Sequence, residues 1–199
     1  MKVTLDRNGL INLNNGTGEI ESLRRLRDFH MRGSIKLCIP VIAASERQRD
    51  GGTLSNYSKF EAFLTSLGLN GYEELIPMFY LDISYLDHGL LTGPDMEQLE
   101  RQIHQILFPK IAFSYEAYAA KLDRGISPPP HRKWLNAKCD VQVMWSHIWH
   151  GANIFVTEDV NFHKATKKPR LLKLGAGQVC TPSECVGLVE ASARDKRPA

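Results

Sequence analysis

Apolar positions along this chain fall into two rhythms. Short apolar runs alternate with segments of three-to-four residue period at both ends, and the middle is mostly of the second kind. Val3 to Leu5 predicts a strand ending at Asp6. After the Gly16-Thr17-Gly18 break, Ile20, Leu23, Leu26 and Phe29 keep a helical period, and Gly33 is a stop. "IKLCIP" predicts a second strand closed by Pro40, and "VIAASERQRDGG" an apolar helix start that runs into charge. Near the other end, "LNAKCDVQVMWSHIWHGA" reads as a helix, "NIFVT" as a strand and "DVNFHKATKK" as a short helix or turn. "GQVCT" reads as a last strand. Thr181, Pro182 and Glu184 then set up a capped last helix.

Residues 51–132 differ. "YSKFEAFLTSLGL", "DMEQLERQIHQILF" and "IAFSYEAYAAKLDRG" read as amphipathic helices, whereas "ELIPMFYLDISYLDHGLLTGP" fits strand or buried helix equally. "ISPPPHRKW" reads as a linker, because prolines resist both helix and sheet. Strands alternating with helices at both ends predict an α/β fold of three layers, α/β/α, around a mostly parallel sheet. The chain is then one domain over 1–199, with 51–132 a mainly helical insertion.

Composition adds limits. A hydrophobic fraction of 43% supports a packed core and argues against disorder. The net charge of +3 is too small to imply nucleic acid by itself, so the placement of charge decides. Cys38, Cys139, Cys180 and Cys185 form no CxxC pair and read as reduced thiols of a cytoplasmic protein, with zinc on Cys180 and Cys185 the minor reading. "MKVTLDRNGL" lacks an apolar signal core, and no run approaches the roughly 20 apolar residues of a membrane span. The expectation is a cytoplasmic protein with no membrane partner. The oligomeric state is open, and a homodimer is compatible with everything above.

The chemistry lies in acids just past element ends: Asp6 after the first strand, Glu46 after the second, Asp159 after "NIFVT", and Asp140 near the start of the Trp-rich helix. In a parallel sheet the carboxyl ends of all strands share one edge, where ligands bind. Four carboxylates gathered there repel one another unless cations lie between them. An all-oxygen site favours Mg2+ or Mn2+, and such ions support phosphodiester hydrolysis.

Four segments, in order, also carry a resemblance. "VTLDRNGLINL", "IPVIAASE", "CDVQVMWSHIWHGANIFVTEDVNF" and "GQVCTPSECV" resemble the successive motifs of PIN-domain nucleases over roughly residues 1–50 and 131–190. The resemblance implies a metal-dependent ribonuclease with Asp6, Glu46, Asp140 and Asp159 as the acidic site. It implies Asn8 and Thr157, and more weakly Asn161, as supporting hydrogen-bonding groups. Two features depart from the family pattern: the long middle segment, and Gly9 where an apolar residue is usual.

Each residue also has a plainer reading. Asp6 and Asp159 could be helix caps, Asp140 a first-turn charge, and Glu46 part of a solvated face. His147 and His150 read first as hydrogen-bonded core or helix-end groups, with a His/carboxylate metal site second. Trp145 and Trp149 read as core packing. "KLGAGQ" lacks a preceding strand and the third glycine of a dinucleotide motif, so it reads as a loop. Lys164, Lys167, Lys168 and Arg170 follow Asp159 and are candidate nucleic-acid contacts, more for RNA than DNA. Two other functions stay open: a PIN-like RNA-binding scaffold without turnover, and a small-molecule phosphohydrolase.

Overall fold

Every strand in the sheet is parallel, and the three central strands are buried on both faces. In the computed structural model, which describes residues 1–44, 57–80, 88–122 and 130–195, the strands are β1 (Lys2–Leu5), β2 (Lys36–Pro40), β3 (Glu73–Leu75), β4 (Ile154–Val156) and β5 (Gln178–Cys180). They lie in the order β3-β2-β1-β4-β5. In β1, Val3 and Leu5 join one core with Leu37, Ile39, Ile154 and Val156, whereas Phe155 and Val179 point into the other. A strand buried on both sides reads as a nearly continuous apolar run, which is why β1, β2 and β4 are visible in the sequence.

The helices are α1 (Arg7–Asn15), α2 (Ile20–Met31), α3 (Tyr57–Ser66), α4 (Pro94–Leu107), α5 (Tyr115–Ala120), α6 (Arg132–Trp149), α7 (Val160–His163), α8 (Lys168–Lys173) and α9 (Pro182–Asp195). One face of the sheet carries α2 and α9, packed on each other, with α1 beside α2. The other carries α6 against β2, α4 against α6, and α7 and α8 against β5. This is the expected three-layer α/β/α arrangement. Among the described residues, the middle segment supplies α3, α4, α5 and β3; the ambiguous stretch opens inside β3, which pairs with β2 at the sheet edge, and residues 81–87 of it lie outside the described residues.

Two local outcomes differ from the sequence reading. The first is α1, a helix the periodicity did not predict. Asp6 caps it by accepting from the Arg7 N–H at 2.7 Å, and Gly16 ends it with φ +66°. Its Gly9 rests on Leu5, where a Cβ would come within 2.5 Å of Leu5 Cδ1. A side chain at position 9 would have to displace Leu5.

The second is α6, which starts earlier than expected. His131 accepts from the Lys133 N–H at 3.2 Å and caps the helix inside the supposed linker. Pro130 stands just before that cap, where its missing N–H costs nothing. Asp140 is therefore the ninth residue of the eighteen in α6 and not a first-turn charge. The box before α9 forms as read: Glu184 Oε2 accepts from the Thr181 N–H, and Thr181 Oγ1 from the Glu184 N–H.

Trp145 is fully buried, donates its ring N–H to the Met96 carbonyl at 3.1 Å and stacks on Trp149, which is 43% exposed. The second tryptophan is thus a lid on the first rather than core. Trp145→Ala is expected to destabilise the protein by about 3–5 kcal/mol in urea denaturation, the cost of a large cavity. A loss under about 1 kcal/mol would mean that the α4–α6 interface collapses around the gap.

Candidate functional site

β1 begins both halves of the sheet. From it the chain steps outward through β2 and β3 on one side, then returns to lay β4 and β5 on the other. In open α/β sheets the crevice where the strand order reverses is the ligand site. Here that crevice lies beyond the carboxyl ends of β1 and β4, and the first side chains past those ends are Asp6 and Thr157.

The register makes them neighbours. Leu5 pairs with Val156, the Asp6 N–H donates to the Val156 carbonyl at 3.0 Å, and the Thr157 N–H donates to the Cys180 carbonyl at 3.1 Å. Thr157 Oγ1 donates to Asp6 Oδ2 at 2.6 Å and accepts from the Asp159 N–H at 3.0 Å. Asp6 is 6% exposed, and Thr157 is buried. Asp159 accepts from the Asn161 N–H at 2.8 Å, which caps α7. Asp159 therefore is a cap, and it stands one hydroxyl away from Asp6.

Glu158, between Thr157 and Asp159, turns away from the crevice. It accepts from the Glu19 N–H at 3.0 Å, and from the Asn12 side chain, so it closes the amino end of α2. Gly18, at φ +63°, backs onto it; a Cβ there would sit 2.7 Å from both carboxylate oxygens. His163 donates from Nε2 to the Thr157 carbonyl at 2.8 Å. The sequence held no signal for that role, because a histidine in a basic stretch reads as surface. Together these bonds tie down side chain and backbone throughout Thr157-Glu158-Asp159.

Asp140 is placed by its helix. His147 Nε2 donates to the Ala176 carbonyl at 2.9 Å, so Nδ1 is bare and accepts from Thr4 Oγ1 at 2.7 Å. That bond pins α6 over β1. Asp140 is two turns before His147, on the same face and about 10 Å nearer the carboxyl edge. Asp6 is two residues past Thr4, about 7 Å along the strand in the same direction. Asp140 and Asp6 thus lie at similar heights. Asp140 is partly exposed, and Asn8 is exposed on the first turn of α1. Glu46 lies outside the described residues.

Among the described residues, no three His, Cys, Asp or Glu side chains stand close enough together to hold a metal ion. The donors that Asp6, Asp140 and Asp159 offer are all carboxylate oxygens, which suits a hard divalent cation. Each oxygen of Asp6 accepts one of the hydrogen bonds above.

The basic residues divide. Lys167 donates to Asn161 Oδ1 and to the Leu107 carbonyl, both at 2.5 Å, so it closes the carboxyl end of α4. Partial burial, then Lys164, lowers its pKa, while Asp159 acts the other way. Lys164 and Arg170 are exposed, and Lys168 is half-buried. His150, the C-cap of α6, donates to the Ile76 carbonyl at 2.9 Å, so His147 and His150 both take their plainer reading. The loop of "KLGAGQ" enters β5 from the amino edge, opposite the crevice. Cys180 and Cys185 are both buried, and the Cys185 thiol is held high by its bond to Cys180 and by burial, so it is no ready thiolate ligand. No described helix is long and apolar enough to cross a membrane.

No family model matches the chain, and no curated protein matches it. Among solved structures, it is similar to the crystal structure of VapBC2 from Rickettsia felis bound to a DNA fragment from their promoter, at 10% identity and a TM-score of 0.43. That match covers 91% of this chain and 98% of the other.

Burial lowers the pKa of His147 to about 4. The native ring stays neutral down to that value, whereas the unfolded ring takes a proton below about 6.5. Between those limits the unfolded state binds more protons, so stability falls as pH drops from 6.5 towards 4, by about 3 kcal/mol at most. Urea denaturation at several pH values should show this slope in the wild type and a flatter one in His147→Gln. Parallel profiles would remove His147 as the source.

Proposed function

We propose that this chain is a metal-dependent endonuclease of the PIN-like kind, acting on RNA. The observation that carries the reading is the Asp6–Thr157–Asp159 linkage at the switch point of a parallel sheet. A scaffold gains nothing from holding one buried carboxylate and a second acid at the mouth of such a crevice. Like charges there cost stability unless a cation joins them.

In this reading Asp6, Glu46, Asp140 and Asp159 would hold Mg2+ or Mn2+. When bound, the ion polarises a phosphodiester and lowers the pKa of water. The protein's own part is orientation. Thr157 fixes one oxygen of Asp6 and, through the Asp159 N–H, the turn that presents Asp159. The Arg7 N–H fixes the other oxygen of Asp6. Asn161 and Lys167 brace the entrance to α7, and Asn8, exposed on the first turn of α1, would be a further supporting group. Lys164, Lys168 and Arg170 follow the site with their charge outward and are the phosphate contacts. Lys167 contributes its field, since its hydrogen bonds go to the protein. Attack by water leaves a 5′-phosphate and a 3′-hydroxyl.

The test is cleavage of end-labelled single-stranded RNA and DNA with manganese, magnesium or chelator. The wild type should cut RNA in a metal-dependent way. Asp140→Asn and Asp159→Asn should lose on the order of 10²–10³-fold in rate. Thr157→Val should lose about 10–100-fold, the size of a ligand-orienting effect. Full activity in Asp140→Asn would refute the acid assignment. Folded wild type that cuts neither polymer would favour the RNA-binding scaffold or the small-molecule phosphohydrolase.

A further inference from the structure

A buried ion pair crosses the mostly apolar interface of α4 and α6, where His104 and Gln142 are also buried. Glu100 has no exposed side-chain surface and Lys138 only 3%. Glu100 Oε1 accepts from Lys138 Nζ at 2.5 Å and from Gln142 Nε2 at 2.7 Å, while Oε2 accepts from the Tyr80 hydroxyl. Gln142 Oε1 accepts from the Met78 N–H at 3.1 Å. The Lys138 ammonium also lies 3.9 Å from the Tyr80 ring centroid and 4.5 Å from that of Phe113. Burying two charges is expensive, and an apolar pair of similar volume is often as stable or more so. The network therefore asks for a reason beyond stability.

The rest of the interface supplies it. Around the pair, α4 presents Met96, Ile103 and Leu107, and α6 presents Leu135, Cys139 and Trp145. A slip of one helical turn, about 5.4 Å, would exchange most apolar contacts for others and would break the Trp145 ring N–H bond to the Met96 carbonyl. It would also strand the Glu100 carboxylate against carbon, which no alternative register can tolerate. Lys138 and Gln142 form one stripe of α6, facing α4. Asp140 lies two residues from Lys138, about 200° around the helix, on the side that His147 holds to β1. Any slip of α6 on α4 would carry Asp140 with it.

We infer that Glu100 is a positioning residue: held by Lys138, Gln142 and Tyr80, its carboxylate fixes the axial register of α6 and so the height of Asp140 at the sheet edge. The link to Asp140 rests on the site reading above. The register itself does not.

The experiment uses the full chain carrying Glu100→Gln with Lys138→Met, a neutral pair of similar volume. Three quantities are read: stability in urea, amide NMR of α6, and RNA cleavage with manganese. The expected result is stability equal to or above the wild type, more than one set of α6 resonances, and cleavage down about ten-fold or more, as a small misplacement can cause. A single set of resonances with wild-type cleavage overturns the inference. Multiple sets with wild-type cleavage overturn the link to Asp140. A wild type that does not cleave refutes the site reading instead, and the resonances alone then decide the register. Should the double variant not fold, Glu100→Asp keeps the charge and withdraws it by one methylene. It should lose cleavage at temperatures where it stays fully folded, and an unchanged rate there overturns the inference.

Discussion

One hydroxyl joins the two halves of the sheet at its mouth. Thr157 donates to Asp6 at the end of β1 and accepts from the backbone of Asp159 beyond β4. The bond to Asp6 forms because β1 and β4 are paired in register, with Leu5 opposite Val156, whereas the bond from the Asp159 N–H is local to the turn. A one-residue shift of β4 on β1 would carry Thr157 away from Asp6 and open the first bond. The apolar patterning that fixes the register therefore also fixes the acids. Val3, Leu5, Ile154 and Val156 must all point into one core, and that requirement leaves Asp6 and Thr157 level at the edge.

Around this bond the protein spends its neighbouring polar groups on holding backbone still. His163 takes the Thr157 carbonyl, Glu158 closes α2, Asp159 caps α7 by accepting from the Asn161 N–H, and Lys167 closes α4. Several looked like site residues or surface charge in the sequence. Their partners are main-chain groups of other elements, so they carry the geometry of the crevice into both helical layers. The longer reach is through α6, which His147 pins to β1 on one side and the Glu100–Lys138 pair pins to α4 on the other. Asp140 lies between those two anchors along the helix.

Much of this was legible in the sequence, and the failures have causes. β1, β2 and β4 showed because central strands, buried on both faces, read as short and nearly continuous apolar runs, and β5 showed because it runs into the capped start of α9. α9 showed because Thr181, Pro182 and Glu184 carry their own capping chemistry. α1 did not show: "RNGLINLNN" has the Asn and Gly of a turn, and only its packing of Gly9 and Leu10 on the core makes it a helix. β3 was ambiguous because three residues are too few for a period. The start of α6 was hidden by neighbouring prolines, which misplaced Asp140 in its helix. For the site, Asp6, Thr157 and Asp159 could be named from their place after apolar runs, since that place follows from strand direction alone. The long-range partners, His147 with Thr4 and Glu100 with Lys138, are 143 and 38 residues apart in sequence. No local pattern encodes such pairs.

The central claim is that the acids at this edge exist to hold a divalent cation. The most direct measurement is a manganese titration of the full chain, followed by the EPR signal of free Mn2+, beside Asp6→Asn. That variant keeps the size of the side chain and an acceptor for Thr157, and removes the charge. The account predicts saturable binding by the wild type and an affinity lower by about ten-fold or more in Asp6→Asn. No saturable binding by the folded wild type, or equal affinity in the two proteins, would contradict it.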